Sequence, residues 1–191
     1  MVTILWVRDY NATVYKEMMQ YYNAIGEPIG VWDGVSRYEG AMGSDVDATY
    51  KYYFNGYVGR VGEPSPVTME TVATMDEDGS KGSVTIKVTP EEALSGSYQL
   101  TCAIYQKLFT GSNPYIPHLG LKRIYNDTIV LNSTDTVKVD VDFNTDFWWD
   151  LEDLGVVAYV RNLSTKEILQ GSATETFEAP PAEGRRHVRP F

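Results

Sequence analysis

The chain reads as an α+β N-terminal half followed by an all-β sandwich. Three observations predict this. Helical spacing of apolar residues is confined to the first third of the sequence. "GEPSP" at 62–66 is the sharpest run of chain-breaking residues. After it come short alternating runs separated by frequent turn signals, which is the pattern of packed antiparallel sheets.

The elements follow in order. "VTILWV" (2–7) is β-rich and almost wholly apolar, so it is expected as a strand buried on both faces. Asp9 to Thr13 supplies turn residues and an N-cap, with Thr13 the expected cap. Val14, Met18, Tyr21, Tyr22 and Ile25 then recur at steps of three and four, and Gly26 closes that helix. "IGVW" (29–32) is a short strand, Asp33-Gly34 a turn, and "RYEGAMGS" (37–44) a loop. From Asp45 to about Gly59 the helical pattern returns. Val46, Tyr50, Tyr53, Phe54, Tyr57 and Val58 fall on one broad side, with Gly56 inside the pattern.

Beyond residue 66 every run reads as β. "VTMETVATMD" and "GSVTIKVTP" form a hairpin through "EDGSKG". "SYQLTCAIYQKLF" is a long strand. The loop "TGSNPYIPH" follows it, then two strands, "GLKRIYN" and "DTIVLN". "TVKVDVDF" alternates strictly, with Val137, Val139, Val141 and Phe143 facing in and Lys138, Asp140 and Asp142 facing out. "LGVVAYVRN" and "KEILQGSATE" complete the set. Residues 66–177 are therefore expected as an immunoglobulin-like or fibronectin-like sandwich. The segment 178–191 has no periodicity and is expected to be a flexible tail.

Composition narrows the functional classes. The 191 residues carry a net charge of −10, which argues against nucleic acid, whose phosphates require clustered Lys and Arg. Three of the sixteen basic residues, Arg185, Arg186 and Arg189, sit in the last seven positions, so the body is more acidic still. Cys102 is the single cysteine and lies among apolar neighbours. It allows no intrachain disulfide and reads as an inert buried thiol. No stretch approaches the ~20 apolar residues of a membrane-spanning helix. Asn-x-Ser/Thr sequons begin at Asn11, Asn126, Asn132 and Asn162, at expected strand ends or turns. They point to an extracellular or cell-surface chain carrying glycans.

"YYNAIGEPIGVWDGV", a Tyr-rich helix ending in "EPSPVTME" and a sandwich ending in "STKEILQGS" together resemble the Omp-twenty-eight-related surface proteins. Those are exported bacterial proteins that join a thioredoxin-like region to a β-sandwich. The resemblance implies that 1–62 is a truncated thioredoxin-like region and 66–177 the sandwich domain. It also implies that Pro28 is the fold's cis proline. The departures are marked. No Cys-x-x-Cys precedes Pro28, Glu27 stands where the family has an apolar residue, and Ile29 stands where it has Thr. With Cys102 alone, dithiol exchange is beyond this chain.

Chemistry-bearing constellations are sparse. The acidic run "DVDFNTDFWWDLED" (140–153) invites a calcium reading. An EF-hand needs Gly and Glu where Thr145 and Leu151 stand, which leaves Asp146, Asp150, Glu152 and Asp153 as loose candidates. Phe147 precedes Trp148 and Trp149, and two readings stand for the Trp pair: a core or subunit contact in which one Trp plugs the end of the sandwich, or a platform for a carbohydrate or a protein partner. His118 has no Ser or Cys partner at motif spacing, and "GAMGS" lacks the Lys of a phosphate-binding loop. No catalytic or cofactor-binding residue is expected, and calcium is the one ion considered.

The expectation is a non-enzymatic surface protein that assembles through open strand edges, as a filament or coat subunit. Two alternatives stand beside it. One is a fragment of an exported thioredoxin-like redox protein, and the other a carbohydrate-binding module built on Trp148 and Trp149.

Overall fold

A computed structural model describes residues 12–23, 25, 29–108 and 118–178. The expected strand at 2–7, Asn11, the Gly26 cap, Pro28 and the tail beyond Glu178 lie outside the described residues.

Among the described residues, two helices and a two-stranded hairpin precede the sandwich. Helix α1 spans Ala12–Tyr21 and β1 spans Ile29–Trp32. Strand β2 (Ser36–Glu39) pairs antiparallel with β1, and helix α2 spans Val46–Val61. The hairpin turns at Asp33-Gly34, where both residues are left-handed (φ 48° and 76°) and the Val35 amide donates to the Trp32 carbonyl at 3.2 Å. That is the type I′ geometry that matches strand twist. Asp45 caps α2, its Oδ1 accepting from the Ala48 amide at 2.9 Å. One face of α2 lies on the hairpin. Trp32 meets Tyr57 edge-on at 6.2 Å, and Tyr38 meets Tyr52 at 4.8 Å.

Among the described residues the sandwich holds eight strands. They are β3 (Val67–Met75), β4 (Lys81–Pro90), β5 (Tyr98–Leu108), β6 (His118–Ile129), β7 (Val137–Asn144), β8 (Leu154–Asn162), β9 (Ile168–Thr174) and β10 (Phe177–Glu178). One sheet has the order β10-β3-β4-β7, the other β6-β5-β8-β9. Every pairing is antiparallel except β10 beside β3. The chain changes sheet after β4, after β6, after β7 and after β9, a Greek-key type of connectivity.

The core lies between the sheets. Val84, Ile86 and Val88 of β4 alternate inward, as do Val141 and Phe143 of β7. They meet Leu100, Cys102 and Ile104 of β5 and Val156, Ala158 and Val160 of β8. Strand β8 is buried on both faces from Leu154 to Val160, which explains its unbroken apolar run. Tyr21 of α1 lies over the outward-facing Arg161, whose guanidinium carbon is 4.7 Å from the ring centre. Burial raises the pKa of the neighbouring Tyr22 hydroxyl, and Tyr159 adds to the effect.

The structure corrects the fold class. The described chain is mostly β, with two small helices and several sheets, and it contains no α+β half of partial thioredoxin-like form. The physical reason is the pairing of β1. Its partner is β2, drawn from a segment expected to be loop, and the type I′ turn closes the two into a separate hairpin. No larger helix-covered sheet forms from the described residues of this part. Three local expectations also change. Thr13 lies inside α1 instead of capping it, and that helix ends at Tyr21 with Asn23 left-handed (φ 51°). "GLKRIYN" and "DTIVLN" belong largely to one strand, β6. A register shift at Ile104/Tyr105 absorbs an irregularity in its pairing with β5.

Candidate interaction surfaces

The end of the sandwich carries the aromatic cluster. Residues 145–150 connect β7 to a 3-10 turn at Leu151–Asp153. Thr145 anchors this loop to the neighbouring hairpin. Its amide donates to the Ser80 carbonyl at 3.0 Å and its hydroxyl to the Gly79 carbonyl at 2.7 Å. The anchored loop sends adjacent aromatic residues in different directions. Trp149 is 6% exposed and stacks on Phe143 with ring centres 6.4 Å apart. Trp148 is 58% exposed, and Phe147 is fully exposed.

Two cations of β6 complete the cluster. Lys122 Nζ lies 4.2 Å from the Trp148 ring centre, and the Arg123 guanidinium carbon 5.0 Å from that of Trp149. Arg123 Nη2 also pairs with Asp146 Oδ2 at 3.1 Å. Partial burial lowers the Lys122 pKa, and Asp146 opposes that shift. The expected Trp pair is therefore divided. Trp149 belongs to the core, whereas Trp148 and Phe147 form the accessible part. Lys122 and Arg123 are the members that sequence reasoning missed. They reach the cluster through strand pairing, for which the sequence carries no local signal.

The calcium candidates are not brought together. Asp146 is held by Arg123, and Asp150 caps the 3-10 turn, its Oδ1 accepting from the Glu152 amide at 3.3 Å. Among the described residues no group of three or more His, Cys, Asp or Glu is placed to hold a metal ion.

The described sequons differ in their surroundings. Asn126 sits within β6 and its Oδ1 accepts from the buried Thr101 hydroxyl at 2.7 Å. Asn162 folds its side chain onto the following turn, accepting from the amides of Ser164 (2.8 Å) and Thr165 (3.1 Å). Asn132 is exposed in the turn before β7.

A second feature lies where both sheets end on the same side. Strands β6 and β7 are edge strands, and a recess of about 300 Å³ opens between them. Leu100, Cys102, Tyr125 and Val139 line it, with Asp127 and Asp140 also contributing. Cys102 is buried there and its thiol pKa is pushed up to about 12 by burial. Asp140 accepts from Lys138 Nζ at 2.8 Å and from the Thr85 hydroxyl at 2.6 Å. No helix among the described residues is long and apolar enough to cross a membrane.

Comparison with solved structures places the architecture. HBP35 of Porphyromonas gingivalis is similar to this chain with a TM-score of 0.65 and 14% identity, over 94% of this chain and 62% of that one. The present chain thus spans under two thirds of that structure's length. A domain of the outer membrane lipoprotein Omp28 from the same organism gives a TM-score of 0.45 at 14% identity, over 60% of this chain and 90% of that one. A Bacteroides uniformis β-glucuronidase gives 0.37 at 19% identity, over 56% of this chain and 12% of that one. At these identities the likeness to HBP35 is one of fold. No protein-family model matches the chain, and no curated protein is similar to it.

Proposed function

We propose that the chain is a non-enzymatic protein of the cell surface or extracellular space whose work is assembly with other chains. The observation that supports it best is that two neighbouring sheet edges, one from each sheet, are unpaired among the described residues. The backbone of β7 (Val137–Asn144) and that of β6 (His118–Ile129) lie at the margins of their sheets, on the side where the recess opens. An open edge offers a row of unpaired amides and carbonyls to an added strand. The net charge of −10 and the exposed Asn132 sequon are consistent with display outside the cell.

The test is hydrogen exchange with light scattering and electron microscopy over a range of concentrations. Amides of residues 137–144 are expected to gain protection as larger species form. Edge amides that exchange at a constant rate, with no species beyond a pair of chains, overturn the proposal.

One observation favours a second reading, a carbohydrate-binding module. Trp148 and Phe147 stand exposed on an anchored loop, as an aromatic sugar platform requires. Glycan-array binding that disappears in Trp148→Ala supports it, and binding that survives the change removes it.

A further inference from the structure

Helix α2 is apolar on two faces, and the hairpin covers one. Tyr52, Tyr53, Gly56 and Tyr57 face β1 and β2. Away from the hairpin, Val46, Tyr50, Phe54, Val58 and Val61 form a continuous stripe at steps of four and three, each between 43% and 79% exposed. The stripe runs the whole helix, about 24 Å. Tyr50 and Phe54 already stack on each other within it, with ring centres 5.6 Å apart and planes 14° from parallel.

This exposure is not an ordinary scatter of surface apolar residues. From Gly30 to Pro66, where burial is described at every position, Gly34 and Gly56 alone are buried, whereas the sandwich buries a core residue on every strand from β3 to β8. The helix and hairpin therefore have no enclosed core of their own. A two-stranded hairpin is marginal without further cover. Five such side chains present several hundred Å² of largely apolar surface, near the upper limit for a monomer and approaching the roughly 800 Å² that each partner contributes to a standard interface.

We infer that the occupant of this stripe is α2 of a second copy, packed antiparallel across a two-fold axis at Phe54. The stripe is apolar on both sides of that residue. A two-fold crossing sets Phe54 against Phe54, Tyr50 against Val58, and Val46 against Val61. Tyr50 thereby meets the smaller Val58 on either side of the axis, and Val46 meets Val61 beyond it, a pattern that interdigitated helices can pack. A two-fold contact also demands a patch complementary to itself, and the stripe has no charged residue to set like against like. On a chain carrying −10, that is where two copies can approach without facing acid with acid. The inference deepens the assembly reading but uses another surface. It closes a pair, whereas edge addition is open-ended.

The test is analytical ultracentrifugation of the full 191-residue chain, as wild type and as Phe54→Glu. The wild type is expected to show a concentration-dependent two-chain species, and Phe54→Glu to weaken association at least ~10-fold, since two carboxylates would face each other in the contact. Far-ultraviolet circular dichroism checks that the variant is folded. An independent arm is Phe54→Cys under mild oxidation, which should give a disulfide-linked pair in high yield, while Val35→Cys on the hairpin turn should not. A wild type that stays monomeric throughout overturns the inference, as does a pair that survives Phe54→Glu unchanged or a Phe54→Cys chain that does not cross-link. Pairs without edge protection would overturn the edge proposal and leave this one standing. Larger species that persist unaltered in Phe54→Glu would do the reverse.

Discussion

Two adjacent tryptophans show how far position decides a residue's role. Trp149 fills the core between Phe143 and Arg123, so Trp149→Ala should cost about 3–5 kcal/mol in urea unfolding. Trp148, largely exposed, loses its contact with Lys122 and an edge-on contact with Trp149, so Trp148→Ala should stay within about 1 kcal/mol. Equal losses would contradict the division of the pair. The sequence showed that this triplet was unusual but could not say which ring turns inward, because an irregular loop has no periodicity to read. Gly56 makes the same point with the opposite sign. Gly→Ala inside a helix normally gains about 1 kcal/mol. Here an added Cβ would lie 2.2 Å from Trp32 Nε1 and 2.6 Å from a Tyr38 ring carbon. Gly56→Ala should therefore destabilise the helix and hairpin, and a rise in stability on thermal unfolding would refute that packing.

At the scale of the element, the strands were largely legible and the pairings were not. The alternation at 137–143 set out β7 because one face is core and the other solvent. Strand β2 was hidden because "SRYE" has one large apolar residue and no buried face, so only its partner β1 defines it. Asp140 on β7 provides a test of this outward face. The Lys138 ammonium, and then the Thr85 hydroxyl, hydrogen-bond its carboxylate and hold its pKa below the ordinary Asp value. A depressed folded pKa means the contribution to stability is present above the unfolded pKa and is lost as pH falls through the folded one. The group is exposed, so the effect is small and salt-sensitive. Carboxyl resonances should show Asp140 titrating below a typical Asp, and Lys138→Met should move it back up. An unshifted titration in the wild type would remove the Lys138–Asp140–Thr85 link from β7.

The molecule as a whole joins a well-cored sandwich to a hairpin and helix that have little core, and a few polar contacts hold them together. Arg60 of α2 bridges Asp33 of the hairpin turn at 3.2 Å and Glu167 beyond β8 at 2.8 Å. The Ile168 amide donates to the Asp33 carbonyl at 2.7 Å, and Lys166 Nζ lies 4.5 Å from the Tyr21 ring centre while reaching that residue's carbonyl. None of this was visible in a sequence where Arg60 and Glu167 are 107 residues apart. Gly34 sits at the centre of the seam, since a Cβ there would come within 2.0 Å of the Lys166 carbonyl oxygen. Stability should therefore be uneven, because regions with few buried apolar contacts open first. Amides of residues 29–61 should exchange well before those of β4, β5 and β8, and unfolding should show two steps. Arg60→Ala should lower the first step, by roughly 1–3 kcal/mol for a lost hydrogen-bonded charge, and leave the second in place. Cys102 reports the second step independently. Its buried thiol, with a pKa of about 12, should resist thiol reagents until the sandwich itself opens. If Cys102 became reactive together with the exchange of the hairpin amides, the two parts would form one cooperative unit. The polar seam would then carry more of the fold than its few contacts suggest.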